Sequence, residues 1–346
     1  MKAFFLYGAR DLRLEETELP SLKPDEVLVR VGATGICGSD IHYYQHGQNG
    51  DFIPSRPFIL GHECAGEIFD AGNHGHRLPV GTRVAIDPSD PCRNCHYCHN
   101  GRFNLCPDMR YYGSAAVTPP VDGSFRDFVP ARADNCHIIP DDMSLEAAAF
   151  LEPLSVALEG VRQAGNVAGK RILITGAGPI GQLLGMVARH YGAETLVVSD
   201  LRPSALNLAS QLWADITVLA SDPGDMDKAA QKCNDFEIII EASGAGLALR
   251  TAYERCRPGG TIVQLGVQTD EVSLPLNLVM LKELTVRGSF RFAQVFDKAT
   301  HLLASHKLDV RSLISERVDL VDLTRGFESA LSPNSIKVVV NQTDGQ

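Results

Sequence analysis

The sequence has no apolar run near the roughly 20 residues of a membrane-spanning helix, and it shows no internal repeat and no low-complexity segment. It is also short of positive charge: 32 Lys and Arg stand against 42 Asp and Glu, a net charge of −10, and no long Lys/Arg run occurs. These absences argue against a membrane span and against nucleic acid or an anionic membrane as partner. The opening MKAFFLYGARDLRLEE reaches charge too soon for a secretory signal peptide, so a soluble, cytoplasmic protein is expected. Apolar residues are not lacking. At 44% of 346 residues they supply a core for about two domains and exclude a mainly disordered chain.

Residues 1 to about 145 read as short strands (EVLVRVGAT, AGEIFDAG, GTRVAIDP) bounded by Gly and Pro, a mostly β half. Ser144 then reads as an N-cap for LEAAAFLEPLSVALEGVRQAG, a helical stretch with a bend expected near Pro153. From Lys170 the pattern alternates: RILITG, IGQLLGMVARHYG, ETLVVSD, SALNLASQLWA, FEIIIEAS, GLALRTAYERC, GTIVQLGV. Continuous apolar strands separated by helices predict a doubly wound parallel sheet over about 150–285. The last sixty residues end in the apolar strand IKVVVN and are expected to pack back on the first domain. The fold class is therefore α/β, a β-rich domain plus a parallel-sheet domain.

RILIT leads directly into Gly176-Ala-Gly178-Pro179-Ile180-Gly181, and a helical pattern follows at once. This is G-x-G-x-x-G between strand and helix. Gly176 allows the tight turn, Gly178 lets backbone approach a pyrophosphate, and Gly181 lets helix and strand pack closely. The next strand ends in Asp200, 19 residues past Gly181, placed to accept from a ribose 2′-OH and to repel a 2′-phosphate. NAD is thus favoured. Arg202, two residues on, can accommodate the phosphate, so NADP stays open.

Nine cysteines are present, and four crowd into Cys92-x2-Cys95-x2-Cys98-x7-Cys106. In a reducing compartment this clustering points to metal rather than disulfides. Four thiolates suit tetrahedral zinc and leave no position for substrate, so the site reads as structural. The polar segment between them cannot form a core, and ligation would hold it together. His96 and His99 lie inside the loop and could replace a cysteine. Cys64, Cys136, Cys233 and Cys256 read as small core residues.

A second metal-type set is more scattered: Cys37 in GICGSDIH, and His62-Glu63 in GHE. Three protein ligands with one open position is the catalytic zinc arrangement. Spacing alone does not separate it from an ordinary core cysteine and His–Glu pair. Glu152 in FLEPL could add a carboxylate or be a helix-surface acid.

Taken together, GICGSDIHYY, LGHE, the four-cysteine loop, LEPLSVAL, GAGPIG, VVSD and RGSFRF resemble, in order and over essentially the whole chain, the zinc-dependent medium-chain dehydrogenase/reductase family. Within it the chain is similar to the polyol dehydrogenases. DMRYYGS (108–114), VDGSF (121–125) and RGSFRF (287–292) look most like the L-idonate 5-dehydrogenase branch. The resemblance implies a GroES-like catalytic domain from 1–148 and 288–346, with a Rossmann coenzyme domain, 149–287, inserted. It implies two zinc ions per chain, one structural and one catalytic. The catalytic ion would be held by Cys37, His62 and Glu63, with Glu152 either a further ligand or the holder of a water.

The same resemblance places Ser39 and His42 in a proton relay, Tyr43 against a polyol, and Gly266, Phe290 and Arg291 against the cofactor. Arg110 is a candidate for a substrate carboxylate, because its fork matches one bidentately, or else a surface arginine. Ala205 departs from the family: mammalian sorbitol dehydrogenase has a cofactor-binding arginine there. The implied reaction is reversible oxidation of a secondary alcohol, L-idonate to 5-keto-D-gluconate, with hydride passing to NAD(P). A sorbitol- or L-iditol-type dehydrogenase and a catalytically idle protein on the same fold are the alternatives. A homo-dimer or homo-tetramer is expected from the family.

Overall fold

The computed structural model describes residues 1–268 and 271–342. The chain divides into two compact units, Met1–Glu152 with Phe296–Gln346, and Pro153–Val295. The chain enters the second unit after 152 and leaves it after 295, against the expected 148 and 287. Helix Leu145–Ala149 packs on strands Glu26–Gly35 and Glu63–Asp70 and so stays with the first unit.

The first unit is built on a seven-stranded sheet. Its main path runs Cys136–Ile138, Arg83–Ile86, Glu63–Asp70, Glu26–Gly35, Lys337–Asn341, Ile314–Asp319, and Phe128–Arg132 also pairs with Glu26–Gly35. Pairing is antiparallel except between the last two strands of that path. Glu26–Gly35 has all but two of its residues buried, as a strand sandwiched on both faces must. The C-terminal strand does return, as expected: Val339 pairs with Gly35 and Val340 with Thr34. Tyr43, Phe58, Phe125 and Phe327 fill one side of this unit.

The second unit is a six-stranded, wholly parallel sheet. Its spatial order is Ile216–Leu219, Thr195–Asp200, Arg171–Thr175, Phe236–Glu241, Cys256–Gln264, Thr285–Gly288. In chain order this is 3-2-1-4-5-6, the doubly wound dinucleotide-binding topology. Its ligand crevice lies where the order reverses, at the C-terminal ends of Arg171–Thr175 and Phe236–Glu241.

Ser144 caps as expected, its Oγ accepting from the Ala147 amide at 3.2 Å. The expected bend at Pro153 falls elsewhere: the helices are Leu145–Ala149 and Leu151–Ala164, and the break is at Phe150. Pro153 sits in the first turn of the second helix, where a missing N–H costs no helical hydrogen bond. No helix among the described residues is long and apolar enough to cross a membrane.

Candidate zinc and coenzyme sites

Cys37 immediately precedes helix Gly38–His46, and His62-Glu63 open strand Glu63–Asp70. Ligand atoms of Cys37, His62 and Glu63 all lie within 4.8 Å of one another. Asp40 sets this geometry: its carboxylate accepts from the Cys37 amide and the Gly61 amide, each at 3.0 Å. Its Oδ1 also lies 3.7 Å from His62 Nδ1, a buried contact of carboxylate and imidazole. Burial works against a charged His62, but Asp40 and the Cys37 sulfur outweigh it and hold its pKa well above the ordinary value.

Glu63 is held from the other side. Lys337 Nζ donates to both carboxylate oxygens at 2.7 Å and to the Ile36 carbonyl at 3.1 Å. Burial lowers the Lys337 pKa, yet Glu63 and Cys37 more than restore it, so the ammonium stays charged. Gly35 makes the room: a Cβ there would stand 2.0 Å from Glu63 Oε2. Glu152 stands beside this group rather than within it. Burial pushes its carboxyl up to about 7, with Glu63 adding and His62 and Tyr111 opposing. Tyr111 donates its hydroxyl to Glu152 Oε1 at 2.5 Å. A soft thiolate, an imidazole and a carboxylate converging in a buried site fit zinc with a position left open.

The four cysteines also converge, their sulfurs within 4.8 Å of one another and none in a disulfide. Cys95–Cys98 is 3.5 Å and Cys92–Cys98 is 4.0 Å. The amide of Asn94 leads in pulling Cys92 down to about 7, while burial pushes Cys98 up to about 12. Four sulfurs this close cannot all ionise without a cation among them, so the set fits a closed zinc site. The remaining cysteines, Cys64, Cys136, Cys233 and Cys256, are buried.

In the second unit, Gly176 has φ +93°, and a Cβ on Gly181 would stand 1.8 Å from the Gly176 carbonyl oxygen. Over Gly178, by contrast, the nearest atom to an added Cβ is Arg202 Nη2 at 3.6 Å, so backbone is open to a pyrophosphate. Pro179 and Ile180 begin the helix Pro179–His190. Asp200 accepts from the Ala177 amide at 2.6 Å, the Arg202 amide at 2.8 Å and Arg202 Nε at 3.0 Å. Burial opposes ionisation of Asp200, but Arg202 and the two amides outweigh it and lower its pKa. Gly266 lies against Gly244 and Glu241, and the Arg291 guanidinium sits 5.0 Å from the Phe290 ring centre.

The other expected residues are placed as follows. Tyr43 is 1% exposed, its hydroxyl accepts from the Ala115 amide and its ring packs on Phe58, so it is a core residue here. Arg110 is exposed while Tyr111 is buried, because successive strand residues face opposite ways. Ser39 and His42 lie one turn apart on helix Gly38–His46, Ser39 half-buried and His42 exposed. Asp40, Tyr111 and Lys337 were not singled out by sequence. Asp40 lay within GICGSDIH but carried no ligand spacing, and Lys337 carries no local signal.

Residues 23–141 match a family model described as alcohol dehydrogenase GroES-like domain, and residues 179–305 one described as zinc-binding dehydrogenase. Over 346 residues the chain is 37% identical to a probable D-xylulose reductase A of Aspergillus fumigatus, covering 98% of this chain and 96% of that protein. The chain belongs to the zinc-dependent medium-chain polyol dehydrogenase family. Sorbitol dehydrogenase of Bacillus subtilis is 36% identical over 96% of this dehydrogenase and 94% of its own length. A crystal structure of L-idonate 5-dehydrogenase from Escherichia coli matches with TM-score 0.93 at 34% identity, covering 98% and 97% of the two chains.

Asp40→Asn is expected to weaken zinc at the Cys37 site by about 10–100-fold and to spare the four-cysteine ion, measured by chelator competition. Because the His62 pKa is raised, a proton competes with the ion increasingly as pH falls. The same chelator should therefore strip this site more readily at lower pH.

Proposed function

We propose that this dehydrogenase reversibly oxidises a secondary alcohol on a polyol chain, with hydride passing to NAD or NADP. The observation that carries the reading is the convergence of Cys37, His62 and Glu63 ligand atoms within 4.8 Å, in a chain of this family. An idle binding protein on the same fold has no need of such an open donor set. When bound, zinc at this set supplies Lewis acidity to the substrate hydroxyl, and the nicotinamide accepts hydride.

The chain's own residues do the rest. Lys337 and Asp40 keep Glu63 and His62 aimed at a common point. Ser39 takes the substrate proton and His42 passes it to solvent. Partial loss of hydration and the neighbouring His46 lower the His42 pKa, which favours the neutral ring as a proton acceptor. Glu152 accepts the Tyr111 hydroxyl at Oε1, which leaves Oε2 as the oxygen for a further partner.

Neutral polyols are the favoured substrates. Arg110, the candidate partner for a sugar-acid carboxylate, is exposed on a strand whose buried side chain is Tyr111. D-xylulose reductases and sorbitol dehydrogenases among the relatives support the same choice. The second reading, L-idonate to 5-keto-D-gluconate, is favoured by the likeness to L-idonate 5-dehydrogenase. The ionised Asp200 favours NAD, and the Arg202 guanidinium beside Gly178 admits NADP. A cytoplasmic homo-dimer or homo-tetramer belongs to this reading on family likeness alone.

The test is initial rates with xylitol, sorbitol and L-idonate, each with NAD and with NADP, with and without chelator. Chelator-sensitive turnover should be faster with the neutral polyols. Faster L-idonate turnover, lost in Arg110→Ala, would reverse the substrate choice. No turnover with any of them would contradict the reading. Arg202→Ala is expected to lower kcat/KM with NADP by about tenfold or more while leaving NAD within about twofold.

A further inference from the structure

Tyr111 belongs to two places at once. Its ring lies in the small apolar cluster of the four-cysteine lobe, with Cys98, Cys106 and Met109, against which Cys95 and Phe103 also pack. Its hydroxyl donates to Glu152 Oε1 at 2.5 Å, and its ring centre is 5.8 Å from that of His62. The topology explains how. Strands Ser89–Asp90 and Arg110–Tyr111 pair antiparallel, Ser89 opposite Tyr111, and the entire cysteine loop is the excursion between them. The base of this stalk is pinned by Asn135, whose Nδ2 donates to the Ser89 carbonyl at 2.6 Å and the Asp87 carbonyl at 3.0 Å. The lobe therefore ends, on its C-terminal side, on a residue whose ring is packed by cysteine ligands and whose hydroxyl reaches the Cys37 site.

We propose that Tyr111 is a positioning residue that couples the four-cysteine lobe to the Cys37–His62–Glu63 site, its ring held by the lobe and its hydroxyl fixing the direction of Glu152. This rests on the reading of Glu152 as a participant in alcohol oxidation. The Glu152 carboxylate is buried at a helix start, and its side-chain torsions are set by the groups around it. One short hydrogen bond from a buried, packed ring holds Oε1 and leaves Oε2 for the reacting group. The lobe then has a task beyond its own stability: a loosened lobe would free the ring, and the ring would free Glu152.

Three proteins separate the possibilities: Tyr111→Phe, which keeps the ring and removes the hydroxyl, Cys92→Ser, which opens the lobe at its exposed ligand, and the double variant. In Tyr111→Phe, kcat should fall by about tenfold with KM nearly unchanged. The absorption spectrum of cobalt placed at the Cys37 site, with zinc left in the lobe, should shift although metal content and melting temperature do not. Cys92→Ser should lose kcat in the same way, and the double variant should lose no more than the worse single one, since both act through one bond. An unchanged cobalt spectrum and kcat in Tyr111→Phe would overturn the proposal. So would additive losses in the double variant. A wild-type protein that turns over no polyol would instead sink the underlying reading, while the cobalt spectrum would still report on the Tyr111 bond. Should Cys92→Ser fail to fold, Tyr111→Phe alone decides through the spectrum and the split between kcat and KM.

Discussion

The buried pair of Glu63 and Lys337 is the joint on which the catalytic unit depends. Both side chains are buried, and the three ammonium donors find three acceptors, two on Glu63 and one on Ile36. Removing two charges from water costs several kcal/mol per ion and is recovered only with such complete geometry. The pair joins strands that are remote in sequence: Lys337 opens the C-terminal strand, Glu63 opens the strand Glu63–Asp70, and Ile36 follows the central strand. The second unit, Pro153–Val295, is inserted between them in the chain. The returning C-terminal strand thus brings Lys337 against Glu63, so the Cys37–His62–Glu63 set draws on the completed sheet and not on one local loop.

The two metal-type sets of the first unit differ in composition and in what surrounds them. Four sulfurs converge within a polar loop that has little core of its own. One sulfur, one imidazole and one carboxylate converge in the other set, and neighbouring groups hold them there. Asp40 aligns His62 and Cys37 from the helix side, and Lys337 aligns Glu63 from the sheet side. Gly35 leaves the carboxylate its space.

What sequence revealed follows from what is local. The glycine motif and the cysteine lobe were legible because turn geometry and ligand spacing are written within a few residues. The strand–helix alternation gave the parallel sheet for the same reason. Lys337 and Tyr111 were not legible, since each acquires its role from a partner tens to hundreds of residues away. Arg110 and Tyr111 show how fine the limit is. They are adjacent, and only the register of a two-residue ladder decides that the tyrosine faces Glu152 while the arginine is exposed. Tyr43 likewise has a partner far away in sequence: its hydroxyl accepts from the Ala115 amide. The helix break at Phe150 instead of Pro153 reflects tolerance of proline in a first turn, which local rules state but do not place.

The measurement that bears most directly on the account is the metal content of the purified protein and of Cys37→Ser, by elemental analysis per chain. About two zinc ions are expected in the wild type and about one in the variant, the survivor being the four-cysteine ion. A variant that keeps both ions, or a wild type that holds only the four-cysteine ion, would contradict it.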